Sequence, residues 1–77
     1  MIPDQKYDII LANINRNILL DQMQRYSEVL QTGGELYLSG FYASPDLEML
    51  AEEALKHDMK YQAHKTNKNW TAARFIK

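Results

Sequence analysis

No cysteine occurs anywhere in the chain. That excludes a disulfide framework and a thiolate metal site, and it fits a reducing compartment, so the cytoplasm is the expected location. A surplus of one charge is also missing. Nine Lys and Arg stand against ten Asp and Glu, which leaves no field to draw nucleic acid or an anionic membrane, and neither is an expected partner. No apolar run approaches the roughly 18 residues of a membrane span. The start Met1-Ile2-Pro3-Asp4 has neither the basic end nor the apolar stretch of a signal peptide, so the protein is expected to be soluble. His57 and His64 lie in different elements without metal-ligand spacing, and no metal is expected. No repeat, low-complexity stretch or linker divides the sequence. A chain of this size buries only about 60% of the surface that its unfolded form exposes, enough for one domain with a thin core.

What is present begins with Tyr7-Asp8-Ile9-Ile10-Leu11-Ala12-Asn13-Ile14-Asn15, a short apolar strand that stops on an asparagine and passes into a helix. Its near-continuous apolar character is that of a parallel strand covered on both faces. In an open α/β sheet, groups just past the carboxyl end of a strand line the ligand crevice, so Asn13 is placed for chemistry. By residue type and place alone, it reads as a cap or turn residue. Asp8 starts the strand at the end remote from that crevice and is expected to be solvated.

Asn15 or Asn17 can cap the following helix, whose apolar stripe is Ile18, Leu19, Gln22, Met23, Tyr26, Val29 and Leu30. That helix is expected to end near Gln31, with Gly33-Gly34 as its terminator. A second strand runs from Glu35 to Ser39, followed by Gly40-Phe41. Ser44 as N-cap and Pro45 as first helical residue then open a second helix with Leu47, Leu50, Ala51, Ala54 and Leu55 buried. Met59 to His64 and Trp70 to Ile76 are β-prone segments joined by Thr66-Asn67-Lys68-Asn69, an antiparallel hairpin. Trp70 is expected in the core, and Lys60, Lys65, Lys68 and Arg74 on a solvated face. The order is βαβαββ, an α/β fold ending in a hairpin.

Leu11-Ala12-Asn13-Ile14, Gly33-Gly34 with its apolar strand, and Ser39-Gly40 resemble segments in the second half of a class I S-adenosylmethionine-dependent methyltransferase. Within that superfamily the chain is most similar to the family that methylates the large-subunit ribosomal protein L11, from Tyr7 to Lys77. The resemblance implies the C-terminal half of a Rossmann-like methyltransferase sheet, with residues 1–77 a single partial domain. It also implies the strand order first, second, last, third, which leaves the first strand at an edge. The glycine-rich turn and the ribose-holding acidic residue of the family have no counterpart here, so most of the cofactor site is missing. S-adenosylmethionine is therefore implied for a complete enzyme, with weak or no binding by this chain alone.

The same resemblance makes Asn13 the catalytic residue, beside the transferable methyl group, with Asn13 and Ala12 nearest the cofactor and Ile14, Ser39 and Gly40 toward the substrate. In related amine methyltransferases the matching asparagine is followed by two prolines and an aromatic residue. Here Ile14-Asn15-Arg16 stands in their place, which disfavours stacking on a flat base and favours a flexible amine of a protein. Two readings follow. One is a fragment of a methyltransferase that acts on amines of a ribosomal protein, inactive in isolation. The other is a non-catalytic α/β interaction module or remnant domain. Either should self-associate, because helices on one sheet face alone leave the other face and the first strand without neighbours.

Overall fold

Leu36 and Leu38 on one strand, and Thr71, Ala73 and Phe75 on another, recur at every second residue, so each strand presents one inward row. The computed structural model describes residues 6–68 and 70–77. The start Met1-Ile2-Pro3-Asp4 and Asn69 of the expected turn lie outside the described residues. The elements are β1 (Tyr7–Asn13), α1 (Arg16–Val29), β2 (Leu30–Phe41), α2 (Asp46–Leu55), β3 (Lys60–Asn67) and β4 (Trp70–Ile76). They form one sheet in the order β1-β2-β4-β3, the order implied by the family resemblance. β1 runs parallel to β2, and the two remaining pairings are antiparallel.

Both helices pack on the same sheet face. Leu19 and Met23 of α1 and Leu50 and Ala54 of α2 close over Leu36, Leu38, Ala73 and Phe75, with Phe41 and Met59 completing the core. Each fully buried side chain of this kind contributes about 1.5 to 3 kcal/mol relative to exposure. A thin core of this sort depends on every member. The opposite face carries Ile9 and Leu11 of β1 beside Tyr37 of β2, and Leu11 is 76% exposed. The run that reads as a strand covered twice is thus covered once, at the sheet edge.

Asn15 begins α1 as expected, its Oδ1 accepting the Ile18 N–H at 3.1 Å. Within the expected stripe, Ile18 and Gln22 are exposed, and the buried contacts pass to Leu19, Met23 and Leu30. The helix ends at Val29, before the glycines, where Leu30 turns extended to start β2. Gly33-Gly34 is therefore not a helix terminator but part of an irregularity inside β2. The ladder steps from Tyr7↔Leu30 to Ile9↔Glu35, leaving extra β2 residues to bulge. Gly33 takes φ +86° there, and its N–H donates to the Lys77 carbonyl at 2.7 Å.

Three further expectations are corrected. Ser44 does not cap α2; its hydroxyl donates to Glu48, Pro45 holds the cap position, and Asp46 is the first helical residue. Leu55, at the last position of α2, is 61% exposed. Trp70 is 49% exposed, since Thr71, Ala73 and Phe75 take the inward row of β4 and the even-numbered positions face outward. It stands edge-on to Tyr42, with ring centroids 6.2 Å apart.

Candidate functional site

The two parallel strands stop side by side, with Asn13 opposite Ser39 in the final rung of their ladder. One residue later the chain does something only glycine permits. Gly40 has φ +97°, and a Cβ built on it would lie 2.6 Å from the Ile14 carbonyl oxygen and 2.8 Å from Asn13 Oδ1. The end of β2 thus presses directly against the turn that leaves β1. Of the residues expected at the site, Asn13, Ile14, Ser39 and Gly40 are brought together here, with Asn13 and Ile14 exposed. Ala12 pairs with Leu38 and packs against the core one step below.

The division of labour between neighbouring asparagines follows from the hydrogen bonds. Capping α1 falls to Asn15, and the Asn13 amide makes no side-chain hydrogen bond to a described residue. Its carbonyl oxygen and its NH2 remain available to a ligand.

Beside this contact lies an open groove of about 340 Å³, lined by Asn15, Arg16, Asn17, Gly40, Tyr42 and Asp46, with Phe41 at its base. Arg16 and Asp46, the first residues of α1 and α2, meet across it with Nη1 to Oδ1 at 2.9 Å. The second carboxylate oxygen of Asp46 accepts the Tyr42 N–H at 3.1 Å, which leaves Asp46 only 8% exposed. Arg16, Tyr42 and Asp46 escaped the sequence reading. The one signal available was an acidic residue directly after Ser44-Pro45, and its partner lies 30 residues away.

Other polar groupings lie away from these strand ends. On the uncovered face, Glu35 Oε1 accepts both the Tyr37 hydroxyl and Arg74 Nε, the latter at 2.8 Å. These bonds, Tyr37 first, hold the Glu35 carboxyl below its ordinary range, and the same bond raises the Tyr37 phenol. Arg74 stands on the solvated face as expected, and there it is tied across the sheet to Glu35. His57 Nε2 stands 3.2 Å from Glu53, whose carboxyl is lowered chiefly by that contact, and His64 Nδ1 lies 2.6 Å from the Tyr61 hydroxyl. Among the described residues no three of His, Cys, Asp and Glu gather to hold a metal ion, and no helix is long and apolar enough to cross a membrane.

Known proteins share the sequence pattern and the fold. The family pattern described as ribosomal protein L11 methyltransferase (PrmA) matches residues 1–77. The ribosomal protein L11 methyltransferases of Bacteroides thetaiotaomicron and Porphyromonas gingivalis are 45% and 46% identical over 69 residues, in each case 90% of this chain. The chain spans about a quarter of their length, 24% and 23% respectively. A crystal structure of the ribosomal protein L11 methylase from Lactobacillus delbrueckii superimposes on 96% of the chain with a TM-score of 0.86, covering 38% of that protein at 23% identity. The fold is accordingly part of a Rossmann-like methyltransferase sheet, and by sequence pattern and identity together this chain belongs to the ribosomal protein L11 methyltransferase family.

Proposed function

We propose that residues 1–77 form the acceptor side of the catalytic domain of an S-adenosylmethionine-dependent N-methyltransferase, a partial domain, inactive in isolation, of an enzyme that acts on amines of ribosomal protein L11. The observation that carries this reading is the Asn13 amide, which sits at a strand end, free of capping duty, with Gly40 packed against it. S-adenosylmethionine, when bound, supplies a methyl group on an electrophilic sulfur. The donor set fits the acceptor side of that group alone. Asn13 offers a carbonyl oxygen and Gly40 leaves space beside it, whereas the glycine-rich turn and the ribose-holding acid have no counterpart at these strand ends.

The chain's own part in the reaction is positioning. An amine attacks through its lone pair, so a lysine must first lose its proton, which a desolvated site favours. The Asn13 carbonyl oxygen accepts an N–H of the neutral amine and thereby aims the lone pair, while Ile14, Ser39 and Gly40 border the acceptor. Holding the reacting groups in line accounts for most of the acceleration such a transfer needs. No group on this side is committed as a general base. The near balance of charge over the whole chain supports a protein acceptor rather than nucleic acid or an anionic membrane.

The test places residues 7–77 in the L11 methyltransferase of B. thetaiotaomicron, in exchange for the segment they match. The hybrid should methylate L11. Asn13→Ala should slow single-turnover transfer on the order of a hundredfold without lowering the melting point, as expected when alignment is lost. Asn15→Ala should do the reverse and cost about 1 kcal/mol of stability at an unchanged rate. The isolated chain should bind S-adenosylmethionine no more tightly than about millimolar by calorimetry, near the weak end of the affinity scale. An inactive hybrid that folds and binds cofactor would favour the interaction-module reading instead.

A further inference from the structure

The groove beside Asn13 contains an ion pair whose location suggests a task beyond stability. Arg16 stands three residues after Asn13, at the head of α1, and Asp46 stands six after Gly40, at the head of α2. Their 2.9 Å contact therefore joins the turn that follows β1 to the turn that follows β2, on the outer side of the Asn13–Gly40 approach. Asp46 is held from both sides, by Arg16 on Oδ1 and by the Tyr42 N–H on Oδ2, so its carboxylate has one orientation. The Arg16 guanidinium also reaches Met49 Sδ at 3.8 Å, which fixes the far side of the pair. Below this point the two strands are tied by the ladder, whose last rung is Asn13↔Ser39. Past it the ladder no longer joins the two backbones, and the Asn13 side chain has no hydrogen bond to a described residue. Among the described residues the Arg16–Asp46 pair is an ion pair that spans these two turns, outside the core that packs α1 on α2.

We propose that Arg16 and Asp46 are positioning residues, a clasp that holds the Asn13 turn against Gly40 and so fixes the direction of the Asn13 amide toward the acceptor amine. This rests on the assignment of Asn13 as the aligning residue. Arg16 acts through that amide and touches no reacting atom. A displacement of about 1 Å in such a group is enough to cost on the order of a hundredfold in rate, so partial loosening should be readily visible. Asp46 is largely buried, so loss of its cation also costs stability, and the positioning role is separated from a structural one by the amide contact and by the double variant rather than by the melting point.

Two measurements test the clasp. In the 77-residue chain, a nuclear Overhauser contact between the Asn13 side-chain amide and the Gly40 α-protons reports the approach directly. It should be present in the native chain, lost in Arg16→Gln and in Asp46→Asn, and retained in Arg16→Lys, which keeps a cation for Asp46. Asp46→Asn preserves an acceptor for the Tyr42 N–H, so its loss isolates the charge. In the hybrid enzyme, Arg16→Gln should lower single-turnover transfer about tenfold with cofactor affinity unchanged and with some loss of melting temperature from the unpaired Asp46, and Arg16→Lys should restore most of both. Combined with Asn13→Ala, Arg16→Gln should cause no further loss, because both remove one alignment. An intact contact in Arg16→Gln, an unchanged rate, or additive losses would each overturn the clasp. A hybrid that is inactive with the native residues refutes the methyltransferase reading, while the Overhauser contact still decides the clasp.

Discussion

A missing methyl group at Gly40 sets how near β2 comes to the Asn13 turn. Alanine there faces both a backbone conformation that L side chains rarely adopt, φ +97°, and a Cβ 2.6 Å from a carbonyl oxygen that cannot step aside without moving the turn. Backbone strain of this kind costs about 1 to 3 kcal/mol, and the contact adds to it. Gly33 supplies the control, with φ +86° but nothing within 4 Å of its would-be Cβ, so Gly33→Ala should cost only the strain, about 1 to 2 kcal/mol. Gly40→Ala should therefore lower the melting point clearly more than Gly33→Ala, at about 4 to 8 °C per kcal/mol for a domain this small. Equal shifts would mean that the close approach is absent. At this scale the sequence was partly legible. The place of Asn13 and the cap at Asn15 followed from residue type at an element boundary, but Ser44 lost its expected role, and the polar work in that turn fell to Asp46, whose carboxylate takes the Tyr42 N–H. Pairing of Arg16 with Asp46 was illegible, because only the fold brings positions 30 apart within reach.

Between elements, the β2–β4 pairing at the middle of the sheet is reinforced on the uncovered face by Glu35, which accepts from Tyr37 and Arg74 on one oxygen. Those donors lower the Glu35 carboxyl from its ordinary value of 4.5. A carboxyl lowered by folding contributes stability above its unfolded value, and the contribution disappears as pH falls through the folded one. Glu35→Gln keeps an acceptor and removes the charge. The native chain should be more resistant to denaturant than Glu35→Gln at neutral pH, and the gap should close progressively below pH 4.5; a gap that stays constant into acid would show that the ionised form is not the one the network favours. The elements themselves were readable because their periods differ: apolar alternation marked β2 and β4, and three-to-four spacing marked both helices. Phase was where the reading slipped. Phe75 points inward, and Trp70, an odd number of residues earlier, must then point outward, as it does. Helix α1 gave way to β2 before Gly33 because Leu30 already pairs with Tyr7 and packs into the core, and the glycines fall in the bulge rather than at the stop.

For the whole molecule, the decisive asymmetry is that α1 and α2 share one sheet face, while the strand order β1-β2-β4-β3 leaves β1 at an edge. That order came from the family resemblance; periodicity alone says which strands exist, not which are neighbours. The uncovered face is mixed. Ile9 at 55% exposure, Leu11, Tyr37 and Ala72 surround the Glu35–Arg74 pair, so apolar area and an unpaired strand edge occur together. An exposed strand that carries apolar residues and lacks a covering element is a template for pairing with another chain, and apolar area left in water favours its own removal. The 77-residue chain should therefore self-associate in solution, with β1 and the uncovered face in the contact. Leu11→Lys tests this without disturbing the fold, because the side chain is already in water and makes no part of the core. Sedimentation should show the native chain shifting to a larger species as concentration rises, and Leu11→Lys remaining a monomer with an unchanged melting point at low concentration. A native chain that stays monomeric at high concentration would mean that the Glu35–Arg74 pair and the phenol of Tyr37 make this face polar enough to stay wet, and that the edge of β1 is too short to recruit a partner by itself.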